Sequence, residues 1–521
     1  MNYSIDILPM AWKKISPPCR ACLFASVISG FLAHYYMLSN KITNWDDEMC
    51  PPGVGGGEFF GRWLEYDANR LFTRWSVPGV NGVMAVLLLA AAACFIVSVL
   101  SVRTITGGVL TGIVIMTFPS VACNLYYMYA AAGYSLAILM ACAGVWCTKQ
   151  RRHGWIAGVL LQILSMAIYQ AYFSLAASLY VILVIIDTLS GKDIRLIVRN
   201  AVRYFLTLLV SIALYLVSIR AGGFTMIEYK GMDQIGQASA RDYILAFLRS
   251  YHRVLQYFVT LPPSFVSRTA LCVSRVSVLL LLVLIFAVYL VCRRHMPSVP
   301  ARIGYWCGMA ILPFGLGLVY VMAPTIDHAS TVMTFSYVLL YLLILVLAEI
   351  LASENIPGTR SMLSRFLFIV SGCLVLWTSY LNFRIDNNAY YRTWLAQQRV
   401  LQQCSRIMMR LEEQPGYHYG DPVYFLGTPE SVTREKLIFM DEDIYADMEG
   451  AAGDQTIFME ANRNRFIATW LGIDTGNLYG ESFDAMMQVK DSEEYRSIPS
   501  YPADGCVRRI DDVWIVKLGG R

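Results

Sequence analysis

Charged residues are scarce in this sequence, and that scarcity limits what the protein can be. Only 15% of the 521 residues are charged, whereas a soluble domain usually carries about 25%. Hydrophobic residues make up 56% of the chain, and the mean hydropathy is +0.49. Together with apolar runs of about 18 residues or more, these values exclude an ordinary soluble domain and predict a protein of the lipid bilayer.

Three further observations on what the sequence lacks limit the class of membrane protein that it can encode. The first apolar run has no A-x-A-like cleavage site, so it predicts an uncleaved membrane span. The thirteen cysteines are scattered along the chain, and no disulfide is expected between Cys404 and Cys506, both in the C-terminal part, because we expect them to lie too far apart. No predicted span has a charged residue in its middle, which argues against an ion-coupled transporter.

The positive charge has a topological use. Residues 382–521 hold 15 basic and 22 acidic side chains, so the net charge of +5 comes from the apolar part of the chain. There it collects beside the predicted spans and gives no reason to expect nucleic acid as a partner. Basic clusters follow alternate spans, which predicts a cytoplasmic N-terminus and an extracytoplasmic C-terminus in a bacterial inner membrane.

The apolar runs predict about eleven transmembrane helices. They cover residues 22–38, 81–100, 104–148 (crossed twice, turning near 124–133), 155–186 (crossed twice, turning near 169–172), 204–218, 276–291, 304–322, 332–351 and 366–381. We therefore expect a membrane domain over residues 1–389, with long outer loops at 39–80 and 219–275. Residues 390–521 predict a small extracytoplasmic α/β domain, with strands at 422–426, 455–459, 506–510 and 513–518 and helices at 390–413 and 463–471. This domain shows no phosphate loop, zinc spacing or nucleophile elbow.

The first outer loop carries the clearest candidates for chemistry. Asp46, Asp47 and Glu48 are three consecutive carboxylates beside the membrane, and a carboxylate whose pKa is raised by its neighbours suits a general base. Arg62, further along the loop, suits a phosphate group. The alternatives are a solvated acidic loop and an interfacial arginine that reaches lipid headgroups.

Basic residues also mark the second outer loop and a later turn. Arg241 and Arg253 lie on a predicted amphipathic helix at 240–258, where they suit a lipid-linked phosphate or serve only as interfacial anchors. His328 lies in the turn between the spans at 304–322 and 332–351, and it is either a substrate contact or structural.

Several of these features together resemble the Gtr type II membrane glucosyltransferases, the serotype-converting enzymes of phages and enteric bacteria. The likeness rests on the acidic first loop, the Gly61-Arg62-Trp63 motif, the topology, and the closing segment 510–518, in which Lys517 is a candidate substrate contact. The resemblance implies a GT-C type fold and a polyprenyl-phosphate-linked sugar donor, with glucose as the expected sugar. It also implies an acceptor glycan such as O-antigen on the outer face, and that Asp46, Asp47 or Glu48 is the base.

The predicted reaction is an inverting glycosyl transfer. A first-loop carboxylate deprotonates the acceptor hydroxyl, which attacks C1 of the sugar, and Arg62 or a basic residue of the second loop stabilises the departing phosphate. No cofactor is required, although the acidic cluster offers oxygen ligands to a divalent cation. The rival interpretation is a non-enzymatic carrier or flippase for a lipid-linked sugar. It fits less well because the polar loops lie almost entirely on one side.

The topology gives the first prediction. A cysteine introduced at Gly520 is expected to react with a membrane-impermeant thiol reagent in spheroplasts, because eleven crossings from a cytoplasmic N-terminus leave the C-terminus outside. Labelling is measured by gel shift or mass. Protection from the reagent in intact spheroplasts, with labelling only after lysis, would contradict the topology.

Overall fold

The structure, a computed structural model, describes most of the chain. The described residues are 12–42, 46–47, 57–73, 75–224, 238–260, 268–296, 298–353, 359–427, 460–476 and 483–519. Glu48 and the predicted strand at 455–459 therefore lie outside the described residues.

The described part is mostly helical. Its α-helices are α1 (Pro17–Ser39), α2 (Glu65–Arg70), α3 (Val83–Leu100), α4 (Ile105–Met116), α5 (Pro119–Tyr126), α6 (Ala131–Gln150), α7 (Gly154–Ile168), α8 (Phe173–Leu189), α9 (Ile194–Ala221), α10 (Ala240–Val259), α11 (Arg268–Cys292), α12 (Val299–Leu316), α13 (Val319–Met322), α14 (Val338–Ser353), α15 (Thr359–Glu412), α16 (Glu460–Leu471), α17 (Phe483–Asp491) and α18 (Glu493–Ser497). Short 3-10 segments at Gln170–Tyr172 and Thr331–Tyr337 precede α8 and α14.

Eight helices of the described chain are long and apolar enough to cross a membrane, and a bent pair, α4 with α5, makes a possible ninth. The count of about eleven is not confirmed. Three predicted spans account for the difference between eleven and eight. One is the bent pair of α4 and α5, the second is α7, which has only 15 residues, and the third is α12, which is not among the eight. The predicted turns near residues 124–133 and 169–172 do separate successive helices.

The bend between α4 and α5 has a local cause. Pro119 begins α5 and lacks the N–H that would continue the helix, and the two axes differ by 42°. The break leaves the Met116 carbonyl without a helical partner, and Nε2 of His34 on α1 lies 2.8 Å from it. Because a carbonyl only accepts, Nε2 carries the proton.

Buried carboxylates lie on two of the long helices, although neither is in the middle of a predicted span. Glu349 near the end of α14 is buried and accepts the backbone N–H groups of Arg103 and Thr104, at 2.9 and 3.2 Å, where α4 begins. Asp386 lies inside α15, which runs unbroken for 54 residues. The predicted span at 366–381 covers part of this helix, and the point at which α15 leaves the membrane stays a prediction.

The C-terminal part is built on a three-stranded sheet. Strands β1 (Val423–Leu426), β2 (Val507–Ile510) and β3 (Val513–Lys517) are ordered β1-β3-β2, with β1 parallel and β2 antiparallel to β3. The described strands and the helix α16 confirm the predicted elements at 422–426, 463–471, 506–510 and 513–518. Cys404 and Cys506 are both buried and free in one hydrophobic cluster, and the expectation that they lie too far apart for a disulfide stays a prediction.

The second half of α15 belongs to the same core as this sheet. Val400, Ile407 and Leu411 on α15 are buried in one cluster with Val423 and Val516 of the strands. The helix thus connects the membrane bundle to the sheet, and the predicted boundary at 389/390 falls within it. The division into residues 1–389 and 390–521 stays a prediction.

Candidate active site at the first loop

Asp47 is enclosed where the first loop meets the helix ends. Its carboxylate forms an ion pair with Lys41, and its side chain has no exposed surface. The Ser76 hydroxyl donates to Oδ1 at 2.5 Å, and the backbone N–H of Tyr129 donates to the same oxygen at 3.2 Å. These donors make Asp47 a fixed negative charge and tie three separate chain segments together.

The other two acidic candidates are placed differently. Asp46 is half-buried and precedes the enclosed carboxylate, while Glu48 lies outside the described residues. Lys41 keeps 30% of its side chain exposed, and its Nζ also donates to Ser76 at 2.8 Å. Its carbonyl accepts from Nε2 of Gln397 on α15 at 3.3 Å. A partly exposed ammonium therefore lies beside the acidic pair.

The Gly61-Arg62-Trp63 motif is attached to the bundle at several points. The Tyr215 hydroxyl on α9 donates to the Gly61 carbonyl at 3.0 Å, and Nε2 of Gln170 donates to the Phe60 carbonyl at 2.6 Å. The Trp63 indole N–H donates to Ser218, 3.1 Å away. These three hydrogen bonds attach the loop segment to the helices of the bundle.

Arg62 is surrounded by partners. Its Nε donates to Oε1 of Gln170 at 3.3 Å, its guanidinium lies 3.7 Å from Glu65, and it lies 4.4 Å from the ring centroid of Tyr169. Only 13% of the side chain is exposed. The predicted contact with a donor phosphate stays a prediction, and it would require the phosphate to share or displace these partners.

Glu65 is a buried carboxyl that the sequence did not single out. The Tyr134 hydroxyl donates to it at 3.0 Å. Burial raises the pKa of the Glu65 carboxyl, and the neighbouring Arg62 opposes that shift only in part. The three-residue spacing of Arg62 and Glu65, with Glu65 at the start of α2, was the available signal.

The basic candidates of the second loop lie apart from the first-loop contacts described so far. Arg241 is exposed near the start of α10, which confirms the predicted helix at 240–258. Arg253 is half-buried and donates to Gln256 on the same helix at 2.7 Å.

His328 and Lys517 have different surroundings. His328 is exposed, and the neighbouring Asp327 lies 3.9 Å from Arg249. Lys517 belongs to β3 of the C-terminal sheet, where its Nζ donates to the carbonyls of Tyr495 and Arg496 at 3.2 and 3.3 Å. Its described contacts hold the sheet to α18.

Within the described residues, no three His, Cys, Asp or Glu side chains come together as a metal site. The ammonium of Lys41 is already paired with Asp47. Glu48, which would complete the acidic group, lies outside the described residues, so a divalent cation at the first loop stays untested.

The structure combines membrane-length helices with an acidic first loop that is held to the bundle through Asp47. These features indicate a membrane protein with a polar site where the first loop meets the helices. A family model described as Glucosyl transferase GtrII matches residues 35–347. The chain belongs to this glucosyl transferase family, and the suspected resemblance is confirmed. No curated protein and no solved structure matches the chain.

The match includes the first-loop site but not all of its contacts. Lys41, Asp47, Arg62 and Glu65 lie inside the matched residues, whereas α15 with Gln397 lies beyond residue 347. The family thus accounts for the loop and most of the bundle, and the last long helix adds contacts of its own.

Gly61 gives a prediction about the motif. Its φ is +74°, and a Cβ there would lie 2.7 Å from the Tyr215 hydroxyl. Gly61→Ala is therefore expected to lower the melting temperature of the purified protein through backbone strain and this clash. Gly79→Ala is the matched control, because nothing lies within 4 Å of its Cβ position. Equal melting temperatures for the two variants would contradict the prediction.

The buried ion pair gives a second prediction. Lys41→Met leaves the enclosed Asp47 unpaired and is expected to cost about 3 kcal/mol, whereas the double variant Lys41→Met/Asp47→Asn is expected to cost less. Exposed Arg152→Met, on the opposite side of the predicted membrane, is the control and should change stability by no more than about 0.5 kcal/mol. Chemical unfolding measures all three. Additive losses in the double variant would show that the two side chains are not coupled.

Proposed function

We propose that this protein transfers glucose from a polyprenyl-phosphate-linked donor to a cell-surface glycan, such as O-antigen, at the outer face of a bacterial inner membrane. The observation that carries the proposal is the acidic segment Asp46–Asp47, held to the bundle through Asp47, within the residues matched by the glucosyl transferase family. A predicted cytoplasmic N-terminus places this pair at the outer surface, where a lipid-linked sugar and a surface glycan can meet.

The two carboxylates suit different tasks. Asp47 is saturated with donors and fully enclosed, so an acceptor hydroxyl cannot reach it without breaking its ion pair. Asp46 is half-buried and directly adjacent. We therefore assign the general base to Asp46 and a positioning role to Asp47, which holds the backbone of the acidic segment against the bundle.

The proposed reaction is a single displacement that inverts the sugar carbon. Asp46 takes the proton of the acceptor hydroxyl, whose oxygen forms the new bond to C1. The bond between C1 and the phosphate oxygen breaks, and its electron pair leaves with the polyprenyl phosphate. Lys41 presents a half-exposed cation beside the pair and suits the leaving phosphate, with Arg62 as the second candidate.

The test uses purified protein, polyprenyl-phosphate-glucose and candidate surface glycans, with product mass as the readout. Asp46→Asn is expected to lower turnover by about 10²- to 10⁴-fold while donor binding persists, because general base catalysis supplies about that much. Asp47→Asn is expected to lower the melting temperature as well as turnover, since the loop loses its anchor.

Asp67→Asn is the matched control. Asp67 is an exposed carboxylate of the same loop, and its removal should leave turnover within about 2-fold of the wild type. Near-normal turnover in Asp46→Asn would remove the base assignment. A wild-type protein that gives no glucosylated product with any acceptor tested would contradict the proposed function.

A further inference from the structure

The helix α10 of the second outer loop has two apolar faces. Every fourth residue from Ala246 to Phe258 is buried against the bundle. On another side of the helix, Ile244, Leu248 and Leu255 are each more than half exposed. Large apolar side chains that stay exposed on a helix beside membrane-length helices indicate contact with lipid at the membrane interface.

A polar strip runs along the remaining side of this helix, between the two apolar faces. Arg249, Arg253 and Gln256 follow one another at spacings of four and three residues, so they share the strip. Both arginines are partly buried. Like charges four residues apart on a helix repel each other, and partial burial has already removed some of their hydration. The strip therefore favours an anion beside it.

Arg249 attaches the strip to the turn that follows α13. Its Nη1 donates to the carbonyls of Pro324 and Ile326, at 3.0 and 2.8 Å. Asp327 lies 3.9 Å from Nη2, which is too far for a hydrogen bond, and 77% of the aspartate side chain is exposed. The Arg249 guanidinium is thus fixed in place by backbone, with only a distant and solvated carboxylate near its other nitrogen.

Arg253 has less charge compensation than Arg249. Its Nη1 donates to Oε1 of Gln256 at 2.7 Å, and this amide is neutral. Its Nε is buried without a hydrogen-bond partner, and no carboxylate in the part of the chain that the structure describes lies within ion-pair distance of the guanidinium. A partly buried cation without a counter-charge is unfavourable, so an anion at this place would supply the missing partner.

The aromatic side chains around Arg253 do not supply that charge. Tyr320 and Tyr337 lie within electrostatic range of Arg253, and Tyr320 is also within range of Arg249. A phenol is neutral near pH 7. The Tyr320 oxygen accepts the backbone N–H of Ala329 at 3.2 Å, which ties the tyrosine to the same turn. Among these contacts, the solvated Asp327 is the one negative group near the strip.

Other basic side chains of the outer region are neutralised by the protein. Lys41 pairs with the enclosed Asp47, and the Arg62 guanidinium lies 3.7 Å from Glu65. Within the described residues, Arg253 has no acidic partner of this kind. The strip on α10 is thus a basic surface next to lipid whose charge the described protein leaves largely unbalanced.

We infer that Arg249 and Arg253 bind a phosphate group carried by a lipid on the predicted outer side of the membrane. A guanidinium is a planar fork of donors that matches phosphate oxygens. The exposed apolar face beside the strip meets lipid tails, which brings a headgroup phosphate to the level of the arginines. One source is the polyprenyl phosphate of the donor, for which these arginines would replace Lys41 as the phosphate contact, and this case rests on the proposed function. The other source is an anionic phospholipid, which does not.

The test measures lipid binding to the purified full-length protein in a neutral detergent by native mass spectrometry. The probes are polyprenyl phosphate, phosphatidylglycerol, and phosphatidylcholine, in which choline cancels the phosphate charge. The wild type is expected to bind polyprenyl phosphate or phosphatidylglycerol more tightly than phosphatidylcholine, and the tighter of the two identifies the source. Equal affinity for all three lipids would overturn the inference.

Variants assign the binding to the strip. Arg253→Gln is expected to raise the Kd for the preferred lipid by about 10- to 100-fold, because a hydrogen bond between charged groups is lost. Arg253→Lys keeps the charge without the planar fork and should lose less. Arg220→Gln is the matched control, since Arg220 is exposed near the end of α9 on the same predicted side of the membrane. Equal losses in Arg253→Gln and Arg220→Gln would contradict the assignment.

Stability separates lipid binding from folding. Arg253→Gln is expected to keep the melting temperature of the lipid-free protein, because no acidic partner is lost, and to reduce the rise that the preferred lipid produces. An undiminished rise would count against the site. If the variant does not fold, the wild type is titrated at increasing salt concentration, where affinity should fall, and salt-independent binding overturns the inference. Glucose transfer is measured separately, so a wild type that binds phosphatidylglycerol but transfers no glucose removes the proposed function alone.

Discussion

Hydrocarbon offers no hydrogen bond, so a polar group inside this bundle must find its partner in the protein. The structure meets this constraint with long side chains that reach neighbouring backbone. Gln162 donates to the Ala141 carbonyl at 2.9 Å, Ser165 donates to the Ala137 carbonyl at 2.8 Å, and His34 serves the carbonyl released by the break at Pro119. Each of these contacts joins two helices without exposing a polar atom to lipid.

The same constraint makes the first loop part of the bundle. Gln170 and Tyr215 donate hydrogen bonds to the backbone carbonyls of residues 60 and 61 and so hold the first loop to the bundle. The enclosed Asp47 is neutralised by Lys41, whose side chain keeps 30% of its surface exposed. Fixing the acidic segment in this way suits the proposed transfer chemistry, because a misplaced base would lose most of its effect.

Much of this organisation could be predicted from the sequence. Basic residues at both ends of residues 104–148 required a turn between two spans, and the turn lies between α5 and α6. The break before α5 was not predicted, because hydropathy measures how apolar a segment is and carries no information on the direction of the helix axis. The burial of Asp386 and Tyr390, which follow the predicted span at 366–381, could not be predicted either, since hydropathy averages over a helix and does not tell one face from another. Lys41 was missed because a single lysine after a span is typical of a topology signal.

The last long helix decides which side chains complete the site. Asn387 donates to the Ala33 carbonyl at 2.9 Å, and Gln397 donates to the Lys41 carbonyl, so α15 is joined both to α1 and to the start of the first loop. Further along, the same helix packs against the C-terminal sheet. The sheet therefore does not need to contact substrate to affect the reaction. The sheet holds the far end of α15. It thereby helps to position the buried side chains Tyr390 and Thr393, which contact His34 on α1 and Tyr126 on α5.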